Sequence, residues 1–328
     1  MAVNKSLFLV EHDKNGVYHA FREDVLNGLK QSPKAIPARW LYDETGSQIF
    51  EDITELPEYY PTRAERQILV DRSKELSQLI RSNGAVVEFG SGSSLKTPLL
   101  LSFLQPSVYV PIDISGDYLR SSALKLSSQF PGIPIYPVEA DFLRKVELPE
   151  QVVEYSKLGF FPGSTIGNMV AGSAVDLLRS MRETLGDASQ LLIGMDMIKD
   201  PKILIAAYDD KAGITAKFNL NVINRINREL NGNLPIENFR HEARWNNDYA
   251  RIEMHLVAKE SLQFSVSGEV FTIAKGESLH TENSHKYNER TANILLQAGG
   301  WTPSHRWLDN QNLFSLILAD ATIPRSAP

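Results

Sequence analysis

The chain has 328 residues, 42% of them hydrophobic, 23% charged and 9% aromatic, as in an ordinary globular protein. It has no cysteine, which excludes disulfides, thiolate nucleophiles and cysteine-bound zinc or iron–sulfur centres. The net charge is −6 with Lys and Arg scattered among acids, which argues against a nucleic-acid partner and for a small-molecule one.

The first 60 or so residues show no strand–helix alternation. They include a short apolar stretch, Leu7-Phe8-Leu9-Val10, which Glu11, His12 and Asp13 break before it resembles a secretory signal. A short apolar run over 85–89 predicts a buried strand. Gly90-Ser91-Gly92-Ser93-Ser94 follows, then a helix over about 96–103. A second strand over 108–112 ends at Asp113, and a helix is expected over 117–130. A third strand over 134–138 ends near Asp141-Phe142, and a fourth covers 158–161. A helix with Val175, Leu178, Met181 and Leu185 on one face precedes a fifth strand over 190–195. Such alternation predicts a parallel sheet with helices on both faces. From 201 to about 286 it breaks: one helix over 202–230, then antiparallel strands over 251–256 and 262–273, read as an inserted α+β subdomain. A helix over 289–298 and paired strands over 304–308 and 313–318 complete the chain. No apolar run approaches the roughly 20 residues that span a bilayer. A cytoplasmic monomer without membrane or nucleic-acid partners is the expectation.

In open α/β sheets, ligands bind at the carboxyl ends of the strands. Gly90-Ser91-Gly92 follows the first strand, and glycines there let a backbone approach a ligand. Asp113 lies 21 residues beyond Gly92, where an acid accepts hydrogen bonds from ribose hydroxyls. Asp141 and Phe142 offer an acid and a ring to a purine. The phosphate loop G-x-x-x-x-G-K-[ST] is absent, and no hydride-transfer site is found, so a P-loop enzyme is excluded and a dehydrogenase disfavoured.

Several stretches resemble a known family. They are Trp40-Leu41-Tyr42-Asp43, Leu56-Pro57-Glu58-Tyr59-Tyr60-Pro61-Thr62-Arg63, Val87-Glu88-Phe89-Gly90-Ser91-Gly92-Ser93-Ser94-Leu95-Lys96-Thr97, Phe161-Pro162-Gly163-Ser164-Thr165-Ile166-Gly167-Asn168, Ala207-Tyr208-Asp209-Asp210 and Thr281-Glu282-Asn283-Ser284. Together, from about residue 20 to about 320, they resemble the histidine-specific methyltransferases. Members of that family trimethylate the α-amino group of L-histidine to hercynine, the precursor of ergothioneine. The resemblance implies a Rossmann-like class I methyltransferase core, over 62–198 and 286–328, that binds S-adenosylmethionine. It implies an additional α+β substrate-binding domain over 1–61 and 199–285. Gly90, Lys96, Asp113, Asp141 and Phe142 would hold the donor, and Tyr42 would lie where donor meets substrate. Tyr59, Asn168, Tyr208, Glu282 and Ser284 would hold the amino acid, and Met254 would shape its side-chain pocket.

The chemistry agrees. Methyl transfer from a sulfonium is an in-line displacement by a neutral amine, and positioning supplies most of the acceleration. A free α-amino group titrates near a pKa of about 8, so a neutral polar partner such as Asn168 suffices. Tyr42 and Tyr59 can bound the space in which a methylated nitrogen turns, while Tyr60 reads as a core residue. Residues 282 and 284 of an extended segment face one side, so Glu282 and Ser284 can both reach an imidazole. An indole, with no second ring nitrogen, would gain less from Glu282. Methylation of tryptophan or a derivative is the alternative within the class, and non-catalytic donor binding the alternative outside it. His255, next to Met254, departs from the bulkier aromatic expected there. His280 and His285 flank the 281–284 segment without an evident third ligand, so no metal is expected. Asp209-Asp210 reads as structural.

Overall fold

The computed structural model describes residues 14–81, 83–92 and 96–322. The stretch 7–10, and Ser93 and Ser94 of the glycine-containing loop, lie outside the described residues. In chain order the helices are α1 Lys14–Lys30, α2 Glu44–Thr54, α3 Tyr60–Asp71, α4 Ser73–Leu79, α5 Thr97–Leu104, α6 Gly116–Gln129, α7 Ala171–Leu185, α8 Pro201–Tyr208, α9 Ile214–Glu229 and α10 Glu289–Ala298. The strands are β1 Lys34–Ala35, β2 Ala85–Phe89, β3 Val108–Asp113, β4 Val138–Glu139, β5 Lys157–Phe161, β6 Gln190–Asp196, β7 Phe239–Asn246, β8 Arg251–Ala258, β9 Leu262–Val266, β10 Glu269–Ile273, β11 Ser278–His285, β12 Trp301–Leu308 and β13 Phe314–Ala321. None of the described helices is long and apolar enough to cross a membrane. The described residues divide into two compact units, 61–198 with 286–322 and 14–60 with 199–285.

The first unit is built on a seven-stranded sheet of order β12-β13-β6-β5-β2-β3-β4. Strands β2 to β6 run parallel, and β13 is antiparallel to both β6 and β12. A parallel strand is covered on both faces, which is why β2 is wholly buried and apolar at every position but Glu88. Its alternate residues enter two cores. Val87 and Phe89 pack with Ile112, Ile193 and the α7 stripe Leu177, Leu178, Met181 and Leu185. Val86 packs with Tyr109, Phe160, Leu192 and with Ile68 and Leu69 of α3 and Leu100 and Leu101 of α5. The chain steps outward from β2 to β3 and β4, then returns to β5 on the other side of β2. That reversal is the switch point, and the loops after β2 and β5 flank it. The third strand is shorter than 134–138. Ile135 makes a single bridge to Tyr109, and the ladder itself begins at Val138. Pro134 and Pro137 have no N–H to give to a ladder.

The second unit holds a four-stranded sheet of order β1-β11-β8-β7, with β1 parallel to β11 and the other neighbours antiparallel. Helix α9 lays Phe218, Val222, Ile223 and Ile226 inward. The single helix expected over 202–230 is two helices. The first ends at Tyr208, and Asp210 opens the second by accepting the N–H groups of Ile214 at 3.0 Å and Thr215 at 2.7 Å. The strand expected over 262–273 is likewise a hairpin, β9–β10, turning at Ser267 and Gly268 with φ of 51° and 83°. Strand β7 was not anticipated, and β11 was expected only as an extended segment around residues 282 and 284.

Candidate active site

In the first unit, the loops after β2, β3, β4 and β5 leave the same edge of the sheet because the strands are parallel. Gly90 has φ of +68°, and a Cβ on it would lie 3.4 Å from Phe142 Cζ, so a side chain there would both strain the backbone and crowd the ring. Asp113 knits the next two loops together. Its Oδ2 accepts the Gly92 N–H at 3.0 Å and its Oδ1 the Ser115 N–H at 2.9 Å. With the Ile114 N–H these donors leave the carboxylate acceptor capacity for a hydroxyl. Desolvation lifts this carboxyl above its ordinary pKa, while the Ser115 and Gly92 N–H groups oppose that. Asp141 turns the chain by accepting the Leu143 N–H at 3.0 Å. The Phe142 ring stands edge-on to Phe89 and Phe161 at centroid distances of 6.2 and 6.1 Å. A glycine-lined turn, a carboxylate at the end of β3 and an acid–aromatic pair after β4 suit the ribose and adenine of a nucleoside.

Beneath this loop lies a buried polar layer. Glu88 Oε2 accepts hydroxyls from Thr97 at 2.6 Å and Tyr109 at 2.7 Å, tying the start of α5 to β3. Burial pushes the Glu88 carboxyl up to about 7, against the pull of those hydroxyls and of Lys96. The Lys96 ammonium is engaged by Glu65 of α3, whose Oε2 also accepts the Gly163 N–H at 2.9 Å. Glu65 Oε1 faces Gly194, where any Cβ would lie 2.2 Å away. The sequence reading missed Glu65. The signal was an acid three and four residues before Ile68 and Leu69, on the buried stripe of α3. At the end of β6, Lys286 and Asp196 form a fully buried ion pair at 2.8 Å, also unforeseen.

Asn168 closes the one-turn helix Thr165–Asn168 after β5. Helix α7 begins at Ala171 after Val170, with no side-chain cap, so Asn168 does not serve as its cap.

In the second unit, Tyr42, Tyr59 and Tyr208 meet in one aromatic cluster. Tyr42 stands against Phe50 and Phe218 at 5.5 and 5.2 Å, Phe50 against Tyr59 at 6.0 Å, and Tyr59 against Tyr208 at 6.1 Å. The segment carrying Tyr42 is pinned by Asp43, which accepts from Gly46 N–H at 2.8 Å, Asn221 at 2.7 Å and Arg228 at 2.7 Å. Tyr60 is more than packing: its hydroxyl accepts from Lys199 Nζ at 2.6 Å.

On β11 a bulge after His280 sets the register of the next residues. Glu282 then lies opposite Met254 and Ser284 opposite Ile252, placing Glu282, Ser284 and Met254 on one buried face. The Tyr208 hydroxyl and Ser284 Oγ are 2.7 Å apart, which joins this face to the tyrosines. Thr281 donates to Asn219 Oδ1 at 2.6 Å and so fixes the bulge against α9. Asp209-Asp210 supplies structure, with Asp210 capping α9; although burial opposes it, the Thr215 and Ile214 N–H groups hold that carboxyl below its ordinary pKa.

A family profile described as "Histidine-specific methyltransferase, SAM-dependent" matches residues 21–321. The chain belongs to this family. Its donor is therefore S-adenosylmethionine, and the glycine turn and Asp113 geometry fit that nucleoside. The chain is 39% identical over 308 residues to the histidine N-alpha-methyltransferase of Mycolicibacterium smegmatis, covering 92% of this chain and 94% of that one. It is 39% identical over 306 residues to the histidine N-alpha-methyltransferase of Mycobacterium tuberculosis, with the same coverage. Among solved structures, the CcbJ methyltransferase of Streptomyces caelestis matches with a TM-score of 0.50 at 15% identity, over 86% of this chain and all of that one. That likeness supports the Rossmann-like methyltransferase fold alone.

Proposed function

We propose that this histidine-specific methyltransferase family member trimethylates the α-amino nitrogen of L-histidine to hercynine, a step of ergothioneine biosynthesis. The observation that carries the reading is the buried face of β11. It presents a carboxylate, Glu282, and a hydroxyl, Ser284, two residues apart, and the Ser284–Tyr208 hydrogen bond joins them to the tyrosine cluster. A planar ring with two nitrogens satisfies both groups, and a buried polar site rejects side chains that cannot pair with it. The 39% identical relatives named as histidine N-alpha-methyltransferases support the same substrate.

In this reading the first unit binds the donor through Gly90, Lys96, Asp113, Asp141 and Phe142, and the second unit binds the amino acid. Bound S-adenosylmethionine supplies an electrophilic methyl on a sulfonium. Tyr208 donates its hydroxyl to the substrate carboxylate. Met254 walls the imidazole side. The Asn168 amide oxygen accepts an amine N–H and leaves the nitrogen lone pair directed at the methyl carbon. No strong base is needed, because an α-amino group with a pKa of about 8 exists in part as the neutral amine at neutral pH, its proton passing to water. The rings of Tyr42 and Tyr59 bound the nitrogen and leave room for the methyl groups it gains.

The test is a panel. Purified protein is incubated with S-adenosylmethionine and each of the twenty amino acids, and products are read by mass. Three methyl groups on histidine alone support the proposal. Methylation of tryptophan or tyrosine instead refutes the role given to Glu282.

A further inference from the structure

The outer face of the strand pair β8–β11 carries a second polar group, on the side opposite Glu282, Ser284 and Met254. Glu253 and His255 are two residues apart on β8 and share that face. His280 lies directly opposite His255 across the antiparallel ladder, and Asn283 directly opposite Glu253. Among the described residues, Glu253, His255 and His280 bring one ligand-type atom each within 4.8 Å of one another. The two rings lie face to face at 4.8 Å. Sequence spacing offered no third ligand near His280. The strand pairing supplies two.

The hydrogen bonds around the group define which atoms face one another inside it. Glu253 Oε1 is taken by Arg251, at 2.8 Å from Nε and 2.6 Å from Nη2, and by Asn246 Nδ2 at 2.9 Å. Oε2 accepts from His255 Nε2–H at 3.1 Å, so an ion that takes Nε2 replaces this proton. His280 Nε2 lies 3.0 Å from the Glu282 carbonyl oxygen. A carbonyl only accepts, so the His280 proton sits on Nε2 and its lone pair on Nδ1. His255 Nδ1 meets the Ser278 hydroxyl at 3.1 Å, which can accept an Nδ1 proton when an ion occupies Nε2. Metal-bound imidazoles are held in this way, the outer nitrogen donating to a protein oxygen. Asn283 Oδ1, an acceptor, is buried on the same face beside the His280 ring.

We propose that Glu253, His255 and His280 form a binding site for one divalent transition metal ion, through Oε2, Nε2 and Nδ1, with Asn283 Oδ1 beside it. Two imidazoles and a carboxylate suit Zn2+, Co2+, Ni2+ or Cu2+ rather than Mg2+ or Ca2+. Two ligands at i and i+2 on one strand with a third on its neighbour place all three on one side of a rigid sheet. Burial holds His255 near a pKa of about 4, against the Glu253 hydrogen bond, and burial also lowers His280, so both imidazoles keep a lone pair at neutral pH. Desolvation notwithstanding, Arg251 and the other donors hold Glu253 ionised, near about 2. The ion would clamp β8 to β11, the two strands whose other face carries Glu282, Ser284 and Met254. This site was not expected from the sequence, and it does not depend on the substrate assignment.

The test uses untagged protein stripped with a chelator. Zn2+ is titrated calorimetrically and Co2+ by absorption, with wild type, His255→Ala, His280→Ala and Ser278→Ala. The expected result is one equivalent bound, absent in both histidine variants, and weakened about tenfold in Ser278→Ala, whose hydroxyl only orients a ligand. Absence of stoichiometric binding to wild type, or binding unchanged in both histidine variants, overturns the proposal. Where a variant fails to fold, pulsed electron paramagnetic resonance of Cu2+-loaded wild type decides. Two coupled imidazole nitrogens support the site, and one or none overturns it.

Discussion

Glu88 offers a quantitative test of how the donor loop is anchored. Its carboxyl is fully buried and titrates near about 7, against an ordinary value of 4.5. In the unfolded chain it is solvated and titrates near the ordinary value. The folded state therefore binds the proton more tightly, and between the two values it holds more protons than the unfolded state does. Stability consequently falls as pH rises through the window from 4.5 to about 7, and this contribution is flat outside it. The displacement corresponds to about 3 kcal/mol at about 1.4 kcal/mol per pH unit. Glu88→Gln removes the titration while keeping an acceptor oxygen for the hydroxyls of Thr97 and Tyr109. Urea midpoints of both proteins, followed by circular dichroism from about pH 5 to about pH 8, give the difference in stability at each pH. That difference is expected to change by about 2–3 kcal/mol in favour of the variant across the range. Any fixed change in packing shifts the whole curve and leaves its slope intact. Parallel pH profiles would refute the argument, since they would mean that Glu88 titrates alike in folded and unfolded chains.

Gly90→Ala places a side chain at φ +68° and against Phe142, and is expected to weaken S-adenosylmethionine binding about tenfold by calorimetry, from about 1–2 kcal/mol of left-handed strain; unchanged affinity would show that the turn does not hold the donor. Glu282→Gln is expected to raise the KM for histidine about 10- to 100-fold, the worth of a hydrogen bond to a charged group, with little change in kcat; an unchanged KM would remove Glu282 from the substrate. Asp210→Ala exposes the first N–H groups of α9 and is expected to cost about 1–2 kcal/mol in urea denaturation, a loss that Asp210→Asn partly restores. A loss below a few tenths of a kcal/mol would mean that water replaces the cap.

The core of the first unit was legible because its signals are local. Apolar runs such as 85–89, each followed by a helix, dictate a parallel sheet, and the loops after those runs must then share one edge. Glycine and acid positions at the run ends, Gly90, Asp113 and Asp141, are therefore assigned to that edge by sequence alone. Where local chemistry opposed the pattern, the expectation failed. Pro134 and Pro137 cut the third strand short, Asp209 to Gly213 broke a long helix, and Ser267-Gly268 folded one strand run into a hairpin. Those punctuating residues were present in the sequence and outweigh periodicity.

The sequence by itself determined which residues are apolar, where the chain must turn, and that Glu282 and Ser284 face one way. Only the tertiary structure decided which partners those residues meet. Glu65 reaches Gly163 across 98 positions, Tyr208 meets Ser284 across 76, and Ser278 meets His255 across 23. A bulge at His280 sets which β11 residues face α9, and strand pairing sets His280 against His255. Propensity and periodicity act over a few residues, whereas ladder register and packing act between segments remote in sequence, so a polar residue's role is settled by neighbours that no local pattern names.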